Sequence, residues 1–126
     1  MTVDGAHGWI RRADAKALAN SELDPLAIRL LGAFDSFLLA HATKEHLVEP
    51  THYKRVYRPQ GWISPVVLRG GRIAGVWFPK TIGKTMTLDV QLFGRATAAV
   101  RERVAREAEA MGRFLGVSCE ARVGTV

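Results

Sequence analysis

Trp62-Ile63-Ser64-Pro65-Val66-Val67-Leu68-Arg69-Gly70-Gly71-Arg72-Ile73-Ala74-Gly75-Val76-Trp77-Phe78 is the stretch on which the reading of the fold turns. Two runs rich in β-branched and aromatic residues flank a Gly-Gly pair, and glycine supplies the positive φ that a two-residue hairpin turn needs. The spacing predicts a hairpin with strands over 62–68 and 72–78. In that register Leu68 faces Ile73, Val66 faces Gly75 and Ser64 faces Trp77 on one side. Val67 faces Ala74 and Ile63 faces Phe78 on the other. Both faces are apolar, so both are expected to be covered. Pro65 lacks an amide hydrogen, which predicts a bulge or an edge at that point. At the tip Arg69 and Arg72 stand opposite one another, an arrangement mildly unfavourable in water and favourable only against an anion.

Towards the C-terminus, Pro79–Lys84 reads as a loop. Thr85–Leu92 alternates as a strand with Met86, Leu88, Val90 and Leu92 towards a core. Gly94 breaks it, and a helix is predicted from about Arg95 to Leu115, with Val100, Val104, Ala108, Met111 and Leu115 as its buried stripe. Glu102–Arg106, Arg103–Glu107 and Glu109–Arg113 lace its outer face at the four-residue spacing. Gly116 caps it and 117–123 returns as a last strand.

Towards the N-terminus, Thr51 is expected to cap a short helix over 52–57, where Tyr53 and Tyr57 share one face and Pro59 ends the run. Thr43–Val48 reads as a further helical turn, and Asp35 as a cap for the turn that follows it. Residues 27–31 read as a buried strand, 14–19 as an alanine-rich helix, and 1–11 as a short hairpin turning at Asp4-Gly5. The whole predicts one α+β domain over 1–126. Its sheet is mostly antiparallel around the central hairpin, with short N-terminal helices and one long C-terminal helix packed on it.

Between Pro50 and Leu88 there is no aspartate or glutamate, but there are seven cations: Lys54, Arg55, Arg58, Arg69, Arg72, Lys80 and Lys84. The chain carries a net charge of +6, so this segment holds all of the positive excess. Surfaces shaped only for solubility mix both signs, and here cations alternate with Tyr53, Tyr57, Trp62 and Trp77. With a pI near 10.1 the pattern points to phosphate contacts on double-stranded DNA, non-specific in sequence.

Other chemistries are excluded on spacing. Lys80-Thr81-Ile82-Gly83-Lys84-Thr85 resembles the end of a phosphate-binding loop, but Phe78 stands where the first glycine belongs and a strand, not a helix, follows. His7, His41, His46 and His52 form no metal spacing, and Ser64 lies outside a nucleophile elbow. No cofactor or metal is implied. Cys119, the single cysteine, reads as a small packed hydrophobe and suits a reducing cytoplasm. No apolar run approaches a membrane span, so no membrane partner is expected.

Several spaced motifs resemble bacterial winged-helix DNA-binding-domain proteins, the family that includes alkylpurine and crosslink-repair DNA glycosylases built from tandem winged helices. They are Leu30-Leu31-x-x-Phe34-Asp35-x-Phe37-Leu38-Leu39, Lys54-Arg55-Val56, Gly61-Trp62-Ile63-x-Pro65-Val66-Val67-Leu68, Gly71–Trp77 and Phe114-Leu115-Gly116. The resemblance spans about residues 3–118 and departs from the pattern at Gly32-Ala33 and Ala40-His41. It implies the C-terminal portion of a longer protein, as a fragment, split gene product or short paralogue. Its glycosylases use Gln-x-Gln, placed earlier in the chain. Here Gln60 and Gln91 stand alone, so no catalytic residue is carried over. Three functions follow as expectations. The first is a non-catalytic, cytoplasmic DNA-binding module, nucleoid-associated when bound. The second is one part of a split glycosylase whose Gln-x-Gln portion is another chain. The third is an interaction domain that docks the missing N-terminal winged-helix part without touching DNA.

Overall fold

The computed structural model describes residues 1–3 and 5–126, so Asp4 of the predicted first turn lies outside the described residues. A two-stranded ribbon, β1 (Thr2–Val3) and β2 (Ala6–His7), precedes helix α1 (Arg12–Ala19), and none of these residues is buried. The domain proper is a five-stranded sheet in chain order: β3 (Ile28–Leu31), β4 (Val66–Arg69), β5 (Arg72–Ile82), β6 (Thr85–Leu92) and β7 (Ser118–Thr125). The first four pair antiparallel and β7 lies parallel to β6. A parallel neighbour needs a long crossover, and helix α4 (Ala98–Leu115) supplies it. The α+β reading with one long helix on a mostly antiparallel sheet holds.

The hairpin forms with the predicted tip, Arg69 opposite Arg72 and Leu68 opposite Ile73, and then slips. Val67 pairs with Gly75 and Val66 with Val76, leaving Ala74 as an extra residue on β5. Strand β4 also starts at Val66, later than the predicted Trp62. Pro65 precedes it, and Ile63 instead bridges Tyr57. The bulge puts Ile73 and Val76 on the same face and frees the Ile73 amide to donate to the Leu47 carbonyl at 2.7 Å.

Of the predicted loop over 79–84, residues 79–82 are strand instead and only 83–84 turn. Strand β5 continues to Ile82 and turns at Gly83, whose φ is +60°. The Trp77 amide donates to the Pro65 carbonyl on the β4 side, so Pro79, two residues on, turns its missing N–H to that same side, where β4 has ended. A proline is therefore tolerated in a strand that pairs with β6 throughout.

Two cores lie on opposite faces of the sheet. Under α4 are Ile28, Val67, Trp77, Leu88, Val90, Leu92, Val100, Val104 and Ala108. On the other face Leu38, Leu47, Val48 and Val56 cover Val66, Ile73 and Val76, as the two-sided apolar hairpin demanded. These covers come from α2 (Ser36–Leu39), the 40–52 segment and α3 (Tyr53–Val56). Asp35 caps α2 as expected, accepting from the Phe37 amide at 2.9 Å. Thr51 is no cap: Pro50 fixes a 3-10 turn over Pro50–His52, one residue earlier, and α3 ends at Val56 before Pro59 is reached. Strand β3 is an edge strand in which only Ile28 is fully buried.

Helix α4 starts later than predicted, at Ala98, because the Thr97 hydroxyl accepts from the Val100 amide at 3.3 Å. Its stripe ends on Gly112 and not on Leu115, which is 49% exposed. The chain returns so close that a Cβ on Gly112 would lie 2.7 Å from the Val117 carbonyl oxygen. Cys119 packs against the α4 core, and burial raises its thiol pKa. Of the three predicted ion pairs only Glu102–Arg106 forms; Arg103 reaches Asp24 and Glu107 reaches Arg29. None of the described helices is long and apolar enough to cross a membrane.

Trp77 ties three strands together, because its Nε1–H donates to the carbonyls of Leu31 and Val66, both at 3.1 Å. Trp77→Phe removes that donor from a buried site and with it both side-chain ties from β5 to its neighbours. The variant is expected to lose about 2 kcal/mol and to melt roughly 8 °C lower, read by circular dichroism.

Candidate nucleic-acid interface

The seven cations of the acid-free stretch do not form one surface. Lys54 and Arg55 lie exposed on α3, and Arg58 opens the loop that follows. Arg69 and Arg72 sit at the β4–β5 tip. Lys80 lies on β5 and Lys84 in the β5–β6 turn. Ten residue steps of β5 separate Arg72 from Ile82, so the tip and the Lys84 turn are roughly 30 Å apart at ~3.3 Å per residue. By strand alternation Lys80 shares the face of Val76 and Phe78, the face that α3 covers further along. Arg122 joins Lys80 there, around a shallow hollow with Ile82, Thr85 and Thr87.

Around α3 the aromatic and basic residues are built into one groove. The Val56–Ser64 segment closes on itself: the Ser64 amide donates to the Val56 carbonyl at 2.9 Å and the Arg58 amide to the Trp62 carbonyl at 2.7 Å. At its tip Gln60 and Gly61 both take positive φ, 64° and 74°. The Ser64 hydroxyl is buried and donates to the Arg55 carbonyl at 3.0 Å, so it is a structural tie of this turn. Tyr53 and Tyr57 share a face as predicted, stacking with centroids 5.0 Å apart. The Tyr57 hydroxyl donates to the Leu38 carbonyl at 3.0 Å, and burial, then Tyr53, raises its pKa. Trp62 packs edge-on against Phe34 at 5.1 Å yet stays 51% exposed. Tyr53, Lys54, Tyr57, Arg58, Trp62 and Ile63 line a groove of about 690 Å³.

The tip arginines gain partners that no local pattern announced. Arg69, Arg72 and Arg95 line one cavity with His52 and Glu49. Arg95 lies outside the acid-free stretch and reads, in sequence, as the first residue of a helix; only the return of β6 brings it to the tip. His41 and His46 also meet, Nδ1 to Nε2 at 2.9 Å, which their five-residue separation did not suggest. Burial, then His46 and Lys44, lower the His41 pKa. Among the described residues no three His, Cys, Asp or Glu side chains converge on a possible metal position.

The four ion pairs among the described residues use Arg11, Arg29, Arg103 and Arg106, all outside the acid-free stretch. Among the described residues none of the seven cations within it is held by a carboxylate.

Fold and surface together define a basic α+β domain with a five-stranded sheet, one crossover helix and an aromatic-lined cationic groove. The profile of the family described as "DNA glycosylase AlkZ-like" matches residues 1–114, and the chain belongs to that family. It is similar to an interstrand DNA cross-link repair glycosylase of Streptomyces sahachiroi, 43% identical over 78 residues, which is 61% of this chain and 21% of that protein. Among solved structures it is similar to the S. sahachiroi DNA glycosylase AlkZ, with a TM-score of 0.79 and 32% identity over 97% of this chain and 32% of that one. The chain thus spans a third or less of the length of these relatives.

Proposed function

We propose that this chain is a non-catalytic DNA-gripping module, equivalent to the C-terminal part of a winged-helix glycosylase, which holds duplex phosphates while chemistry is done elsewhere. The observation that carries the reading is the distribution of charge: seven cations and no acid lie between Pro50 and Leu88, and none of the seven has a carboxylate partner among the described residues. Membership of a DNA glycosylase family supplies the polymer. Lys54, Arg55, Arg58, Arg69, Arg72, Lys80 and Lys84 contact phosphates, which positions the protein without reading sequence. Tyr53 and Trp62 flank the groove with faces on which a base can stack. Glycosidic hydrolysis, in this reading, belongs to a Gln-x-Gln portion outside this sequence, and the module works in the cytoplasm on the nucleoid.

The test is duplex affinity measured from 50 to 200 mM salt with a fluorescent oligonucleotide. If all seven cations meet phosphates, log K falls against log salt with a slope of roughly −6, and if half do, about −3. Binding with that slope and with no preference among sequences is expected. Absence of binding, or binding indifferent to salt, rejects the reading. Membership of a DNA glycosylase family, with Gln60 and Gln91 standing alone in these residues, favours a second reading as one part of a split glycosylase. Base excision that appears only when a separately encoded Gln-x-Gln portion is added would establish it.

A further inference from the structure

We infer that the cavity between the β4–β5 tip, the Pro50–His52 turn and the start of α4 is a discrete site for a single phosphate group. It rests on the DNA reading only for the source of that phosphate. The cavity measures about 210 Å³ and is lined by Arg69, Arg72, Arg95, His52 and Glu49 over an apolar floor that includes Ile28 and Leu92. That is below the roughly 300–1,000 Å³ of pockets for drug-sized ligands, and suits a phosphate group better than a whole nucleotide. Three guanidinium groups against one carboxylate leave a net charge of +2 around it, taking His52 as neutral.

Three features mark it as built for an anion. Arg69 and Arg72 are directly paired across the hairpin, a like-charge juxtaposition that costs stability until something negative lies between them. None of the three arginines has a carboxylate within ion-pair distance among the described residues, although Glu49 lines the same cavity. Arg69 donates only one long bond, Nε to the Pro25 carbonyl at 3.4 Å, which leaves most of its donors free. His52, held in place by stacking on Phe93 at 4.2 Å, keeps its Nδ1 buried with no hydrogen-bond partner. That nitrogen is closed to solvent and so does not open on the cavity, and the ring serves as a stacked wall and not as a donor. Beside an apolar floor charge-assisted bonds from the arginines are stronger than on open surface.

The experiment follows the arginine Nε–H resonances of the full chain by NMR while inorganic phosphate is added at constant ionic strength. Saturable shifts of Arg69, Arg72 and Arg95 with one shared Kd are expected. Arg69→Gln and Arg72→Gln should each weaken binding about tenfold, whereas His52→Phe, which keeps an aromatic ring to stack on Phe93, should leave it within about twofold. Glu49→Gln should tighten it about threefold. Non-saturating shifts, or equal shifts with chloride, overturn the site. Duplex DNA that displaces the phosphate supports the site and identifies a backbone phosphate as its ligand. Saturable phosphate binding without duplex binding supports the site and rejects the DNA reading. Duplex binding with no saturable phosphate response rejects the site and leaves the DNA reading standing.

Discussion

Gly75→Ala is expected to destabilise the domain by about 3 kcal/mol and to lower the melting temperature by roughly 10 °C. Gly75 is buried beside the bulge, paired with Leu92 of β6, and a Cβ there would lie 2.5 Å from the Gln91 carbonyl oxygen and 3.1 Å from the Leu92 Cα. Both obstacles are backbone atoms of a strand paired along its whole length, so neither can rotate away as a flexible side chain would. The contact can be relieved only by opening the β5–β6 ladder or by shifting the bulge, and either disturbs Trp77 two residues on. Gly124→Ala is the control, since a Cβ there meets nothing within 4 Å at an unremarkable φ. It should change stability by less than about 0.5 kcal/mol. Thermal and urea unfolding of both variants measure the difference. A wild-type melting temperature for Gly75→Ala would mean that β5 and β6 do not approach in this way.

Removing Lys54, Arg55 and Arg58 together, each to Gln, is expected to weaken duplex DNA binding on the order of a hundredfold at 100 mM salt. The salt slope should become shallower by about 3, at ~0.9 per phosphate contact. Lys54 and Arg58 line the aromatic groove and Arg55 follows Lys54 on α3, and each is exposed with no carboxylate partner among the described residues. The matched control is Arg103→Gln with Arg106→Gln on α4. Those charges are already engaged, with Asp24 at 3.3 Å and Glu102 at 2.5 Å, so their removal should leave the slope unchanged. Exposed pairs of this kind contribute little to folding, about 0–1 kcal/mol, so the control protein stays folded. Equal losses in the two variants would show that net charge, and not this groove, carries the binding.

Local signals fixed the elements well where one rule governed them. Thr85–Leu92 alternates, and it is a strand with Leu88, Val90 and Leu92 buried. Val100, Val104 and Ala108 recur every four residues, and they are the buried stripe of a helix closed by Gly116 at φ +71°. The sequence misled where a neighbour in space decided the outcome. Pro79 signals a loop, yet β5 continues because β6 pairs with it and β4 has ended on the side of the missing N–H. Leu115 belongs to the apolar period, yet Gly112 takes the buried place because β7 returns against it. The hairpin tip was legible, but the extra residue at Ala74 was not. A bulge here is set by the approach of Leu47 and β6, which no two-strand pattern contains.

By itself the sequence determined the periods, the turn residues and the distribution of charge, because these are properties of neighbours along the chain. It therefore determined an α+β domain built on a two-sided apolar hairpin, and a segment of seven cations without one acid. Only the tertiary structure decided how those cations are shared out. An extended β5 carries the Arg72 tip and the Lys84 turn to opposite ends of the sheet, while the fold of 40–63 lays the aromatic groove on one face. Only the fold, too, returned Arg95, His52 and Glu49 to the Arg69–Arg72 tip, because electrostatic fields act through space and take no account of sequence separation.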